Sequence, residues 1–221
     1  MGVYKLDNLS AVVVEYIIDK ILTGKYKEGD HILEMKIAEE LDISRAPVRE
    51  GIKELQNKGI IDFIPRRGNF VTRFNAEDRK EIFDIRLMLE SSVLEILIKE
   101  KKLKDHDFHN LTKIMDEMLS ILDIDMDDME KTLKINKKDI ELHRYLWEKS
   151  GSKRRMRILN NLYLQLQMAM MYDTNMTGDL EMTVKDHYDI IEYLKEGNLE
   201  KCKDALKNHI VFYRQGILED M

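Results

Sequence analysis

The sequence predicts a mostly α-helical chain in two parts, an N-terminal winged helix-turn-helix followed by an antiparallel all-α bundle. Three observations predict it. The only prolines, Pro47 and Pro65, fall in the first third of the chain. Residues 75–221 contain no proline, only Gly151, Gly178, Gly197 and Gly216, and their apolar residues recur with helical period, which reads as a bundle. Between residues 60 and 72, in contrast, two short β-type runs flank a turn that starts with Pro65 and ends with Gly68. Strand-like text stops near Phe74, so the domains are placed at 1–74 and 75–221.

Each N-terminal element has its own signal. Leu9–Thr23 reads as a helix with Val12, Val13, Tyr16, Ile17 and Ile21 on an apolar face, ended by Gly24. Leu33–Leu41 is a short second helix with Ile37, Ala38 and Leu41 turned inward, and Asp42-Ile43 makes a tight turn after it. Ser44 stands where a hydroxyl can accept a bond from a free N–H of the next helix. Pro47 falls in that helix's first turn, where a missing N–H is harmless. The helix buries Val48, Ile52 and Leu55, carries Arg45, Arg49 and Lys53 at four-residue intervals on another face, and closes at Gly59. Ile60–Ile64 and Asn69–Thr72 then read as strands joined by Pro65-Arg66-Arg67-Gly68.

This order of elements has a specific use. The start of the second helix of such a pair enters the DNA major groove, where an arginine can bond guanine bidentately. A hairpin tip carrying Arg66 and Arg67 can reach the phosphate backbone or the minor groove. Arginines at four-residue spacing alone describe a solvated basic stripe; the ordered pattern is what points to DNA. Charge neither supports nor opposes it. The net charge of −6 lies wholly beyond residue 74, because residues 1–74 carry 12 Lys+Arg and 12 Asp+Glu. A neutral domain binds DNA if its basic residues cluster. The apolar runs are too short to span a membrane, no secretory signal is visible, and a lone Cys202 fits a reducing compartment, so a cytoplasmic protein is expected.

The second part holds the residues with metal chemistry. Asp139 and His143 are four apart, which places them one turn apart on one helical face. His187 lies on a helix that ends at Gly197, and His209 on the last helix. Three helices of one bundle can bring these four side chains to one cavity. Imidazoles with one carboxylate suit a borderline divalent metal such as zinc, nickel or manganese. Taken singly, the same histidines read equally as surface or satisfied core residues. His106 and His109 sit in a polar segment and read as solvated.

The run Ser44-Arg45-Ala46-Pro47-Val48-Arg49-Glu50 through Leu55 and Gly59, with the wing Arg66-Arg67-Gly68-Asn69-Phe70-Val71, resembles the GntR superfamily of transcription factors over residues 8–74. The resemblance implies that Arg45 and Arg49 contact operator DNA and that Gly68 enters the minor groove. Two departures stand out: Met35, where some members carry a DNA-contacting arginine, and Gly51, where alanine is common. Residues 76–221 resemble the ligand-binding (FCD) domain of the FadR subfamily, with Arg86-Leu87-Met88-Leu89-Glu90 similar to its R-x-x-x-E signature. Metal-binding members of that family use an Asp four before a His and two later His residues. The matching positions are Asp139, His143, His187 and His209.

The resemblance implies a homodimeric repressor on a pseudo-palindromic operator. Ser44, Arg45, Arg49, Lys53, Arg66, Arg67 and Gly68 are its expected DNA-side residues. The helical domain is expected to hold a divalent metal, zinc first, with nickel or manganese as alternatives. A small organic acid is the expected effector, its carboxylate replacing metal-bound water while Arg86 holds the other end. The other reading of Arg86 is a salt bridge to Glu90. Two further functions fit the donor set: a regulator whose effector is the metal itself, and a hydrolytic enzyme whose metal activates water. For the enzyme the sequence offers no convincing general base, and a fused winged helix has no obvious enzymatic use.

Overall fold

A computed structural model of the chain describes residues 9–171 and 180–218, with backbone only at 169–171 and 211–218. It divides into two compact units, residues 1–79 with 164–173 and residues 80–163 with 174–221.

The first unit contains helix α1 (Leu9–Leu22), strand β1 (His31–Ile32), helices α2 (Glu34–Leu41) and α3 (Arg45–Asn57), and strands β2 (Ile61–Ile64) and β3 (Gly68–Val71). Its core joins Val13, Val14, Ile17 and Ile21 of α1 to Val48, Ile52 and Leu55 of α3. The two helices approach closely at Gly51. A Cβ built there would fall 2.7 Å from Val13 Cγ1 and 3.0 Å from the Ser10 carbonyl oxygen. That proximity accounts for glycine where alanine is common.

The turn between α2 and α3 forms as expected. Asp42 adopts the left-handed conformation with φ 52°, and its N–H returns to the carbonyls of Ala38 and Glu39. Ser44 occupies the N-cap of α3 with extended backbone, but its side chain makes no capping hydrogen bond. The expected hydroxyl cap is therefore not formed, and backbone geometry alone starts the helix. Gly59, at φ +69°, ends it.

The sheet has three strands in the order β1-β3-β2, all neighbours antiparallel. Ile61 faces Val71 and Ile64 faces Gly68 across the hairpin, while His31 faces Phe70. The sequence reading missed β1, because two residues are too few to show an alternating pattern. Gln56 of α3 donates to Asn69 Oδ1 of β3 at 2.7 Å and so ties the hairpin to α3.

The second unit is all-helical among the described residues. Its elements are α4 (Ala76–Lys99) from residue 80 on, α5 (Asp105–Leu122), α6 (Asp128–Ser150), the first part of α7 (Lys153–Met171), α8 (Leu180–Glu196) and α9 (Leu199–Leu218). Its apolar core includes Phe83, Leu94, Met115, Leu142, Trp147, Leu159, Val184, Ile190 and Leu206. Asp127 caps α6, accepting from the N–H groups of Met129 and Glu130. Near the start of α5, buried Asp107 accepts from Tyr145 Oη at 2.7 Å, Lys149 Nζ at 2.6 Å and the Lys104 N–H at 2.8 Å. Burial opposes its ionisation, but these donors hold the carboxyl down to about 2.

Candidate functional site

In the first unit Arg45 and Arg49 line one groove with Gly68, while Arg67 lines a second hollow with Asp62 and Phe70. Arg45 opens α3 and Arg49 follows one turn on, their side chains 51% and 61% exposed. Lys53 and Ser44 are exposed as well. The turn of the hairpin presents Arg66, at φ 64°, and Arg67, whose guanidinium lies 5.6 Å over the Phe70 ring. Gly68 adopts φ +104°, and a Cβ there would strike His31 Nε2 at 2.6 Å. His31 itself stacks on Phe70 with centroids 4.8 Å apart. Between β1, the start of α2, the hairpin and α3 runs an open groove of about 580 Å³, lined by His31, Glu34, Met35, Arg45, Arg49 and Gly68 among others.

One residue of this groove had no sequence signal. Glu34 Oε2 accepts from Arg49 Nε at 2.8 Å and from Arg45 Nη2 at 3.1 Å. Partial burial opposes its ionisation, yet Arg49 and Arg45 hold its carboxyl below the usual range.

In the second unit, three helices bring a buried polar cluster together. Asp139 and His143 project from α6, His187 from α8 and His209 from α9, each at most 2% exposed. Three imidazole Nε2 atoms and Asp139 Oδ1 face one another. His143 Nε2 lies 3.3 Å from both His187 Nε2 and His209 Nε2. Asp139 Oδ1 lies 3.0 Å from His187 Nε2, 3.5 Å from His209 Nε2 and 3.8 Å from His143 Nε2.

The surroundings fix which atoms carry protons. His143 Nδ1 lies 2.6 Å from Glu90 Oε2 and donates to it. His187 Nδ1 lies 3.0 Å from the Thr183 carbonyl oxygen, which can only accept. With Nδ1 engaged in this way, each ring turns its Nε2 toward the centre, the atom a metal would take. Burial first, then neighbouring His187, lowers His209 to about 3, which keeps that imidazole neutral. Tyr163 donates to Asp139 Oδ2, and buried Oδ1 accepts no hydrogen bond. Burial works against ionising Asp139, but the imidazoles of His143, His187 and His209 keep its carboxyl well below the usual range.

This donor set fits a divalent ion. Four metal bonds of 2.0–2.1 Å in a tetrahedron imply donor–donor edges of about 3.3 Å; five of the six donor pairs lie at 3.0–3.8 Å and all lie within 4.8 Å. Converging lone pairs and a carboxylate oxygen without a donor are what such an ion satisfies.

Arg86 and Glu90 of α4 complete the centre. Arg86 is 2% exposed, and its Nε donates to Glu90 Oε1 at 2.7 Å. Its Nη2 reaches His143 Nε2 at 3.0 Å. The salt bridge and the approach to the cluster therefore coexist. Burial pulls the Arg86 pKa down, but Glu90, Tyr163 and Asp139 more than offset it and keep the guanidinium charged. For Glu90 burial acts upward, while His143 and Arg86 hold it at about 2. Sequence reasoning reached Glu90 only as a partner for Arg86, and it missed Tyr163, which has no motif. His106 is exposed and lies 3.1 Å from Asp107 Oδ1, and His109 is exposed; both stand apart from the cluster.

A winged helix with exposed arginines, and an all-helical unit built around a buried histidine–aspartate cluster, define a DNA-binding regulator with a second, helical module. The chain belongs to the GntR family of bacterial regulatory proteins: that family's model matches residues 9–71, and the FCD domain model matches residues 81–212. An HTH-type transcriptional regulator of Bacillus subtilis, YdhC, is 26% identical over 96% of this chain and 91% of its own length. The gluconate operon transcriptional repressor of the same organism is 37% identical over 45% of this chain and 40% of its own. Among solved structures, E. coli McbR/YncC superposes with a TM-score of 0.75 at 19% identity, covering 94% of this chain and 98% of that one. A GntR regulator from Rhodococcus gives 0.73 at 20% identity, over 96% and 98%. The family and the two Bacillus subtilis relatives are transcription regulators, not enzymes. Among the described residues, no helix is long and apolar enough to cross a membrane.

Proposed function

We propose that the chain is a homodimeric repressor whose grip on a pseudo-palindromic operator is controlled by a small carboxylate bound at a metal centre. Residues 1–74 form the DNA-binding domain. Arg45 and Arg49 read base edges in the major groove, Ser44 and Lys53 hold the backbone beside them, and Arg66, Arg67 and Gly68 enter the adjacent minor groove. Residues 75–221 form the effector-binding and dimerisation domain. There Asp139, His143, His187 and His209 hold the ion, zinc first, with nickel or manganese as alternatives.

The observation that carries the effector class is the charge set of the buried centre. With the three imidazoles in the neutral form a metal ligand requires, ionised Asp139 and Glu90 and protonated Arg86 sum to −1. A divalent ion turns this into +1, which an anionic ligand neutralises. The ion supplies a Lewis-acidic position for one carboxylate oxygen, and Arg86 Nη2, already aimed at the cluster, supplies a donor beside it.

The test couples both domains. Purified protein, stripped with a chelator and reloaded with zinc, is titrated onto duplex DNA from its own upstream region across a salt series. Wild-type binding weakens as salt rises, and Arg45→Ala/Arg49→Ala falls to the level of random DNA. Zinc raises the melting temperature of the stripped wild type by mass action and leaves His187→Ala unmoved. Equal binding by wild type and the arginine variant removes Arg45 and Arg49 as readers. Equal zinc shifts in wild type and His187→Ala remove the metal centre.

A further inference from the structure

We propose that Glu34 sets the sequence discrimination of the DNA-reading face, by holding Arg45 and Arg49 in one orientation and cancelling part of their charge. The inference rests on the reading of those two arginines as DNA contacts.

Glu34 is the first residue of α2, a position where a carboxylate ordinarily serves its own helix N-terminus. Here its Oε2 is turned to α3 instead, bonding Arg49 Nε at 2.8 Å and Arg45 Nη2 at 3.1 Å. A guanidinium has five N–H donors, so one bond to Glu34 leaves each arginine four for another partner. Arg49 gives up only Nε, which leaves its two terminal nitrogens, the pair that bonds guanine O6 and N7 bidentately. Both side chains remain more than half exposed along the groove.

Two consequences follow from one carboxylate. The guanidinium planes are held before DNA arrives, which favours a fixed base pattern over a sliding phosphate contact. The pair of arginines also carries a net charge of +1 instead of +2 once Glu34 is counted. Random DNA is bound through phosphates alone, so it loses more from this cancellation than a sequence whose bases are read. Glu34 thus weakens non-specific binding and widens the ratio between right and wrong sites.

The test uses the full chain as wild type, Glu34→Gln, Glu34→Asp and Arg45→Ala/Arg49→Ala. Each is titrated by fluorescence anisotropy onto a duplex from its own upstream region and onto a composition-matched random duplex, across a salt series. Glu34→Gln is expected to bind the random duplex several-fold tighter, with a log–log salt slope steeper by about 1. Its preference for the upstream duplex falls about tenfold, the order of one lost bidentate contact. Glu34→Asp keeps the charge but lacks the reach, so it keeps the wild-type slope and still loses preference. An unchanged slope and preference in Glu34→Gln overturns the proposal, as does equal weakening on both duplexes with a lowered melting temperature, which marks Glu34 as a mere strut between α2 and α3. If Arg45→Ala/Arg49→Ala binds both duplexes like wild type, the arginine reading itself falls and takes this proposal with it. If that variant loses binding while Glu34→Gln behaves as wild type, only the role of Glu34 falls.

Discussion

Replacing Glu90 by glutamine tests the metal centre through a residue outside the converging donor set. Glu90 is 3% exposed and spends both oxygens: Oε2 takes the Nδ1 proton of His143 at 2.6 Å, and Oε1 takes Arg86 Nε–H at 2.7 Å. Glutamine has the same shape but only one acceptor oxygen. If that oxygen faces His143, the NH2 group meets Arg86 Nε–H, donor against donor. If it faces Arg86, the NH2 group meets His143 Nδ1, which must surrender its proton, and Nε2 then carries a hydrogen where it should offer a lone pair. Removing one member of a buried ion pair costs about 3–5 kcal/mol of stability, because the other charge is left without its partner. Removing the orienting partner of a metal-ligating histidine lowers metal affinity about 10–100-fold, or about 1.4–2.7 kcal/mol. Thermal melts of chelator-stripped protein measure the first effect, and competition for zinc against a chromophoric chelator measures the second. The double variant Arg86→Met/Glu90→Met removes both charges and is expected to regain most of the lost stability, while zinc affinity stays 10–100-fold down. A folded double variant with wild-type zinc affinity refutes the reasoning.

Two further perturbations probe the scaffold. Gly51→Ala should gain about 1 kcal/mol from helix propensity alone. The Cβ contacts at 2.7 Å to Val13 and 3.0 Å to the Ser10 carbonyl instead predict a net loss, of about 1–3 kcal/mol. Adding Val13→Ala should recover part of the melting temperature; a Gly51→Ala chain as stable as wild type would show that α1 yields freely. Asp107 titrates at about 2 in the folded chain, against an ordinary 3.8. A depressed carboxyl stabilises above its unfolded pKa, and that contribution fades as pH falls through the folded one. Asp107→Asn should therefore melt lower than wild type at neutral pH, with the gap closing between about pH 5 and pH 2. Parallel melting curves across that window would contradict the assignment.

What could be read from the sequence depended on the range of each interaction. Helices α1 and α3 show themselves through residues three and four apart, and their buried sets include Val13, Ile17, Ile21, Val48, Ile52 and Leu55, all expected from spacing. The turn at Asp42 and the close of α3 at Gly59 were equally local. Strand β1 was not legible, because its two residues are strand only by pairing with Phe70 and Asn69, far along the chain. Ser44 misled in one respect: its place before α3 is right, but its hydroxyl does not cap. In the second unit, the spacing of Asp139 and His143 marks one face of one helix. No local signal says that His187 and His209 face the same point, and only the family resemblance put all four on one list. Tyr163 lay beyond even that. Its contact with Asp139 spans 24 residues and belongs to no motif.

Glu34 and Glu90 share the reason they were hard to see. An acidic residue on a charged helix reads as solvated surface unless a basic partner stands one turn away. Glu90 had such a partner in Arg86, which explained it too cheaply, since its second oxygen serves His143, 53 residues on. Glu34 finds its partners 11 and 15 residues ahead, across a turn, where helical spacing is silent. Each carboxylate takes one arginine Nε, Glu90 from Arg86 and Glu34 from Arg49, while Glu34 meets Arg45 through Nη2. That choice leaves the far end of the guanidinium available, toward the histidine cluster in one case and the groove in the other. A carboxylate that bound both terminal nitrogens would use up the pair of donors that recognises carboxylates and guanine alike; Glu34 takes one of them, Nη2, from Arg45 and none from Arg49. Binding Nε fixes the plane and spares those donors. The acids therefore act on what their arginines can recognise, and exchanging either for its amide should change selectivity or ligand affinity even where the fold is retained.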